Sequence, residues 1–253
     1  MRKLRARQDG GATGSAGTLA SSAYRAIRED ILSGALPAGQ KLRIHQLCVR
    51  YDVGLSPMRE ALNRVSRDGL ILHMELRGFR TAPVSVCELE ELTKTRCWVN
   101  EIALRHSIAD GDQAWEENIL VAFHRLSRTP RFAANHQPNP AWGAAHRIFH
   151  SGLIAACGSS YLVNFCEQLF DAAERYHNIA RTENTRIERV DEHRALLDAA
   201  LAHDQDQAVE LLKKHFQRTA ELSREAVSRR EAAERQNGLP APRTARKKTQ
   251  PVI

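Results

Sequence analysis

Three short amphipathic helices closed by a pair of strands, then helical periodicity from Ser85 almost to the C-terminus, predict a mainly α protein. Its parts are an N-terminal winged helix-turn-helix and a C-terminal all-α helical bundle. The length of 253 residues suits two domains of ordinary size. Charge divides the same way. Residues 1–85 carry a net +7, residues 86–227 a net −5 and residues 228–253 a net +5. A basic part beside a mildly acidic one suggests a polyanion-binding module joined to something else. A solvated basic surface with no partner would show the same numbers.

Residues 1–20 are rich in Gly, Ala, Ser and Thr, lack periodic apolar positions, and are expected to form a disordered basic tail. The winged unit is expected over 21–84. Its first helix starts near Ser21 or Ser22 and places Tyr24, Ile27 and Ile31 on one face, until Gly34, Pro37 and Gly39 end it. A second helix carries Ile44, Leu47, Cys48 and Tyr51 and stops at Asp52-Val53-Gly54. In the third, Ser56 is the expected N-cap and Pro57 the first helical residue, where a missing N–H costs nothing. Met58, Ala61, Leu62 and Val65 form its buried face, and Asp68-Gly69 ends it. Leu70-Ile71-Leu72 and Phe79-Arg80-Thr81 read as strands joined through an Arg77-Gly78 turn, and Pro83 closes the unit.

The helical bundle is expected over 85–235, with helices at roughly 86–109, 112–127, 141–157, 159–181, 185–203 and 204–235. Gly111, the Pro130–Pro140 stretch and Gly158 separate them, and the Pro130–Pro140 stretch is the expected mobile loop. Residues 236–253, rich in Pro, Lys and Arg, form a second expected disordered tail. No run of eighteen apolar residues exists, which argues against a membrane span. Met1–Arg7 is basic, but no apolar run follows, so it does not read as a secretion signal. Five scattered cysteines without a CxxC fit reduced, buried thiols in a cytoplasm.

In a winged helix-turn-helix the second helix of the motif enters the major groove of DNA. Here that helix offers Ser56, Arg59, Asn63 and Arg67 opposite its apolar stripe. Arginine pairs bidentately with guanine and asparagine with adenine. Arg43 is placed to grip a phosphate, and Arg77, Gly78 and Arg80 at the wing suit the minor groove or backbone. A small helical bundle with ordinary solvated arginines is the plainer alternative.

The runs Gly34-Ala35-Leu36-Pro37-Ala38-Gly39-Gln40-Lys41-Leu42 and Tyr51-Asp52-Val53-Gly54-Leu55-Ser56-Pro57-Met58-Arg59-Glu60-Ala61-Leu62, then Asp68-Gly69-Leu70 and Arg77-Gly78-Phe79, resemble the GntR family. Members read G-x-L-x-P-G-x-x-L, then G-V-S-R-T-P-V-R-E-A-L, then a Gly-bearing wing. The resemblance makes Arg59 the main base-contacting residue. The family's first motif arginine falls on Leu55 and its serine on Gly54, so one expected DNA contact is missing.

Four histidines mark the C-terminal half. His146 and His150 are four apart and share a helix face with Phe149 and Leu153. His193 lies on the stripe of Val190, Leu196, Leu197 and Leu201, and His215 sits beside Leu211, Leu212 and Phe216. Buried imidazoles need partners. Convergence on one divalent transition metal, zinc or nickel first among the candidates, would satisfy all four. Four separately satisfied core histidines are the alternative. A metal-dependent enzyme on a helical bundle is the competing function, but no placed general base is evident, because Glu192 is expected on a different face from its neighbour His193. A nucleoid-type binder using the basic tails alone is a third reading.

The pattern H-x-x-F-H, E-H-x-x-L-L-x-A and a later His resembles the FCD effector-binding domain of the FadR subgroup. There an Asp and three His hold a divalent ion, and an effector carboxylate completes the shell. The resemblance puts the three His at His150, His193 and His215, with His146 in place of the Asp. Arg96 could pair with an effector carboxylate or with a neighbouring helix. Asn100 stands where the subgroup carries Glu. Ala155–Ser159 followed by Glu174-Arg175-Tyr176 resembles regulators of γ-aminobutyrate and glutarate catabolism, which implies effector contacts from Arg175 or Tyr176. Together these readings imply a cytoplasmic homodimer, probing a palindromic operator and answering to a small carboxylate by repression.

Overall fold

The computed structural model describes residues 12–74, 78–135, 137–183 and 192–236. They form two units that divide between Ala82 and Pro83, close to the expected boundary. The tails at 1–11 and 237–253, Arg77 and the segment 184–191 lie outside the described residues.

The first unit holds α1 (Ala12–Ser33), β1 (Lys41–Leu42), α2 (Ile44–Tyr51), α3 (Leu55–Arg67), β2 (Ile71–Met74) and β3 (Gly78–Thr81). α1 begins at Ala12 rather than at Ser21, so the end of the expected tail is helical. Its apolar stripe runs Ala20, Ala23, Ile27 and Ile31, all buried. The alanines are too small to have marked it. From Ala23 on, this stripe packs with the buried Met58, Ala61, Leu62 and Val65 of α3 and with Leu47 of α2. Burying such side chains contributes roughly 1.5–3 kcal/mol for each large one.

α3 starts two residues earlier than expected. Its N-cap is Gly54, in extended conformation, not Ser56, which stands exposed on the first turn. Pro57 therefore occupies the third helical position, where the backbone N–H still has no intrahelical partner to lose. The sheet has three strands in the order β1-β3-β2, all antiparallel, with Leu42 opposite Phe79 and Leu72 opposite Arg80. Two residues of β1 gave no alternation to detect. Thr81 locks the sheet to the preceding loop. Its fully buried hydroxyl donates to the Pro37 carbonyl at 2.5 Å and accepts from the Gln40 N–H at 2.7 Å.

The second unit comprises α4 (Val86–Asp110), α5 (Gln113–Arg128), α6 (Pro140–Leu153), α7 (Ser160–Glu183), α8 (Glu192–Leu201) and α9 (Gln205–Gln236). Ser85, Asp112 and Asn139 cap α4, α5 and α6 by accepting from the N–H of Glu88, Trp115 and Ala141. The core includes Leu104, Ile108, Ile119, Phe149, Leu153, Leu196, Leu197 and Phe216. α6 ends at Leu153, four residues before the expected 157. Ile154 and Cys157 are buried although the helix has stopped, so apolar spacing outlasted the helix. The start of the helix expected at 185–203 falls on undescribed residues. In the stretch expected to be a mobile loop, Phe132 and Pro138 form an antiparallel bridge, supported by Asn139 N–H donating to the Arg131 carbonyl at 3.0 Å. Of the five free thiols, Cys97, Cys157 and Cys166 are buried, Cys48 is half-buried, and Cys87 is exposed, against expectation. No helix among the described residues is long and apolar enough to cross a membrane.

Gly111 is where the α4–α5 turn is tightest. A Cβ there would collide with the Trp115 ring and come within 2.5 Å of the Ser107 carbonyl oxygen. Trp115 cannot move freely, because its indole N–H donates to the Gly152 carbonyl at 2.9 Å. Gly111→Ala is expected to lose about 1–3 kcal/mol of stability, read from the denaturant midpoint. Gly143→Ala, with open space around the added methyl, is the comparison and should lose nothing.

Candidate functional site

The polar side of α3 presents Ser56, Arg59, Asn63 and Arg67, all exposed. Among the described residues none of them is held by an ion pair or side-chain hydrogen bond, so their polar atoms are available. Arg43, at the N-cap of α2, is likewise exposed. At the wing, Gly78 has φ +81°, a conformation that glycine takes without strain. Arg80 is less free than expected: its guanidinium donates to the Gly39 carbonyl at 2.5 Å and ties β3 to the loop before β1. The scaffold behind α3 is fastened at several points. The Tyr24 hydroxyl donates to Asp68 at 2.8 Å, and the Arg64 guanidinium lies 4.4 Å from the Tyr24 ring centroid. Asp30 accepts from Tyr51 at 2.6 Å and from Arg50 at 2.5 Å, which anchors α2 on α1. The result is a rigidly mounted helix with one free reading face.

The second unit contains a compact polar centre. His146 and His150 on α6, His193 on α8 and His215 on α9 are all buried, and one ring nitrogen of each lies within 4.8 Å of the others. The Nε2 atoms of His146 and His150 are 3.1 Å apart. Burial and the neighbouring imidazoles push the pKa of His146 and His150 well below the usual 6.5, so both rings are neutral at pH 7. His146 Nδ1 is buried without a hydrogen-bond partner among the described residues. Its ring stacks on Trp142 at 4.6 Å.

Glu192 reaches this centre from outside. Its carboxylate accepts from His215 Nδ1 at 2.8 Å and from Arg218 at 2.6 Å. That bond keeps the proton on Nδ1 and leaves Nε2 of His215 as a donor atom. Residues 192 and 193 face different partners, as a helix requires, but both partners belong to the same centre.

Beside the centre lies a small cleft, with room for about one water molecule, lined by Arg96, Asn100, His150, Glu167, Phe170 and Phe216. The Arg96 guanidinium sits 3.9 Å from the centroid of the Phe216 ring. Burial lowers its pKa to about 10, which still leaves it charged at neutral pH. Among the described residues it makes no ion pair, and its Nε is buried without a partner. The neighbouring-helix salt bridge is therefore not what holds it. Asn100 donates to the Arg96 carbonyl at 3.0 Å, while Glu101 turns away to Lys213 and Arg105.

Arg175 and Tyr176 do not join this cleft. Both are buried near the start of α4 and the end of α9, with Glu88 and Glu234 in electrostatic reach of Arg175. Burial beside Glu88 pushes the Tyr176 hydroxyl pKa up. Other positions of α7 carry a polar cluster of their own, outside the lining of the cleft. Glu174 pairs with Arg181 at 2.7 Å, and His177 lies 3.7 Å from the same carboxylate. Burial would raise the Glu174 pKa, but Arg181 and His177 outweigh it and hold the carboxyl well below its usual range. Burial pulls His177 down to about 4 despite Glu174. Sequence spacing alone did not separate 174, 177 and 181 from 175 and 176, because α7 is packed on more than one side.

A helix-turn-helix with a free polar face and a wing, joined to an all-helical domain with a buried polar centre, defines a DNA-binding transcriptional regulator. The chain belongs to the bacterial regulatory proteins of the gntR family, whose model matches residues 19–80, and it carries an FCD domain over residues 91–218. It is 35% identical over 213 residues to the HTH-type transcriptional regulator BphR of Paraburkholderia xenovorans (strain LB400), covering 82% of this chain and 86% of that one. It is 33% identical over 198 residues to the HTH-type transcriptional repressor GlaR of Escherichia coli (strain K12), covering 76% and 90%. A GntR transcriptional regulator from Rhodococcus sp. RHA1 shares the fold, with a TM-score of 0.64 at 20% identity over 83% of this chain and 98% of that one. These relatives and families are regulators, not enzymes, which sets aside the metal-dependent enzyme.

Two outcomes follow. Arg59→Ala should weaken specific operator binding at least about tenfold, the scale of one bidentate base contact, in a gel-shift titration. Its thermal midpoint should not move, because Arg59 is exposed. The second concerns acid. The folded-state pKa values of His146, His150 and His177 lie below the unfolded value of 6.5. Between those limits the unfolded chain binds more protons, so stability is full above pH 6.5 and falls as the pH drops below it. Metal-free protein should show a lower thermal midpoint at pH 5.5 than at pH 7.5; an unchanged midpoint would mean that these rings are not buried neutral.

Proposed function

We propose that the protein is a cytoplasmic homodimeric repressor that binds a palindromic operator. In this reading a small carboxylate sets its operator affinity, bound at a divalent transition metal held by His146, His150, His193 and His215. The observation that carries the reading is the convergence of four buried imidazoles with donor atoms within 4.8 Å. Zinc–nitrogen bonds of about 2.0–2.1 Å place tetrahedral donors roughly 3.3 Å apart, so a small contraction of the rings accommodates the ion. The orphaned His146 Nδ1 and the Glu192 bond that presents Nε2 of His215 suit a metal better than four separate core histidines. All-imidazole donors favour zinc or nickel over harder ions.

When bound, the metal would supply an electrophilic anchor for a carboxylate. Arg96 is charged, buried and without an ion-pair partner, and it lines the cleft next to His150, so it would take the same carboxylate by charge-assisted hydrogen bonds. Glu174, His177 and Arg181 set the electrostatics behind it. Repression is supported by the relative of 33% identity that is named a repressor. Dimerisation is supported by the logic of two recognition helices reading half-sites one helical turn apart.

The test is elemental analysis of protein purified without chelator. About one transition metal per chain is expected, and His150→Ala, His193→Ala and His215→Ala should each lose it. Wild-type protein without stoichiometric metal would return the four residues to the status of core histidines. With loaded protein, the cognate carboxylate should move the gel-shift midpoint by more than about tenfold, the usual size of an allosteric coupling.

A further inference from the structure

We propose that Leu55 is a specificity-determining residue of the DNA interface, and that it reads the 5-methyl group of a thymine in each operator half-site. The inference rests on the established membership in a family of DNA-binding regulators and on the palindromic operator proposed above, and not on the metal site.

α3 begins at Leu55, not beyond Ser56. This places Leu55, Arg59, Asn63 and Arg67 at successive steps of four, the spacing that keeps side chains on neighbouring turns of one face. The apolar residues Met58, Ala61, Leu62 and Val65 of the same helix are all buried, whereas Leu55 is 46% exposed. It is therefore not part of the core stripe. It is the N-terminal member of the polar reading row, and the N-terminal residues of a recognition helix approach the base edges. Gly54 immediately before it has no side chain to hold the helix end away from DNA, and Ser56 and Arg59 beside it are exposed.

An alkyl side chain in that position has a narrow choice of partner. The major-groove edges of guanine, cytosine and adenine offer hydrogen-bond donors and acceptors, which a leucine would desolvate without replacing. The thymine 5-methyl is the apolar feature of the groove floor, and burying it against Leu55 gains the hydrophobic term that the exposed side chain otherwise forgoes. An arginine at the same position, as the family motif has it, would select guanine. The operator of this protein is thus expected to differ from one read by an arginine at that step, with a T·A pair replacing a G·C pair.

The experiment selects operators from a randomised duplex library with the full-length protein, then replaces each thymine of the selected site singly by deoxyuridine, which removes only the methyl. One symmetry-related pair of positions should weaken wild-type binding about fourfold per half-site, the worth of one buried methyl group. Leu55→Ala should bind the thymine and deoxyuridine operators equally, and Leu55→Arg should select guanine at that position. Leu55→Ala is expected to keep the wild-type thermal midpoint, and the deoxyuridine scan of the wild-type protein stands without any variant. The proposal is overturned if no thymine substitution weakens wild-type binding, if the selected site has no symmetric thymine, or if Leu55→Ala retains the full deoxyuridine penalty.

Discussion

The helical unit is organised around four buried imidazoles. A charged imidazole in the apolar interior would be costly, and a neutral one still leaves two ring nitrogens to satisfy. α6, α8 and α9 meet at this point, and each contributes side chains on both sides of that requirement. Phe149 packs next to His150, Leu196 and Leu197 follow His193, and Phe216 follows His215, so an apolar shell surrounds the polar centre. The same shell supplies the low dielectric that keeps His146 and His150 neutral and Arg96 strongly felt. Outer contacts then fix orientation: Trp142 stacks on His146 and Glu192 holds His215.

The DNA-binding unit solves a different problem with fewer residues. α3 has to be immobile on one face and unoccupied on the other. Immobility comes from burial of Met58, Ala61, Leu62 and Val65 and from ties at the periphery, where Tyr24 holds Asp68 and Arg64 while Asp30 holds Tyr51. Availability comes from leaving Arg59, Asn63 and Arg67 out of those ties. Two arginines on the same helix thus have opposite fates. Arg64 is held against Tyr24, and Arg59 stands exposed with no such tie. Arg80 illustrates a third case, since it is spent on the Gly39 carbonyl and contributes to the wing mainly by fixing its shape.

Much of this was legible because it lies in periodicity. The α3 core stripe, the end of α3 at Asp68-Gly69 and the inward placement of His146, His150, His193 and His215 follow from spacings of three and four along single helices. What escaped depended on other signals. β1 is only two residues long and owes its existence to pairing with Arg80 and Phe79. The early start of α1 is written in alanines, whose burial carries little hydropathy. The N-cap moved from Ser56 to Gly54 because extended backbone at residue 54 sufficed without a side-chain cap. Glu192 became visible only once α8 and α9 were set side by side, since no spacing within one helix relates residue 192 to residue 215; Glu174, His177 and Arg181 lie at steps of three and four on α7, a signal that the sequence reading did not use. Arg175 and Tyr176 failed for the complementary reason: adjacent positions on α7 face different neighbours, and a motif match cannot say which.

The replacement of an aspartate by His146 has an electrostatic consequence for the proposed sensor. An aspartate ligand would cancel one charge of a bound dication, whereas four neutral imidazoles cancel none. The dication would then sit in a buried site with its full charge, in reach of the buried cation Arg96 and screened chiefly by Glu192 on the outer side of His215. Charge of that kind in a low dielectric is unfavourable until an anion joins it. The same feature that weakens a metal on its own therefore strengthens its coupling to a carboxylate. Reciprocity requires that the anion tighten the metal by the factor by which the metal tightens the anion. A site built this way is occupied by both or held loosely by either, which is the thermodynamic form a ligand-responsive switch needs.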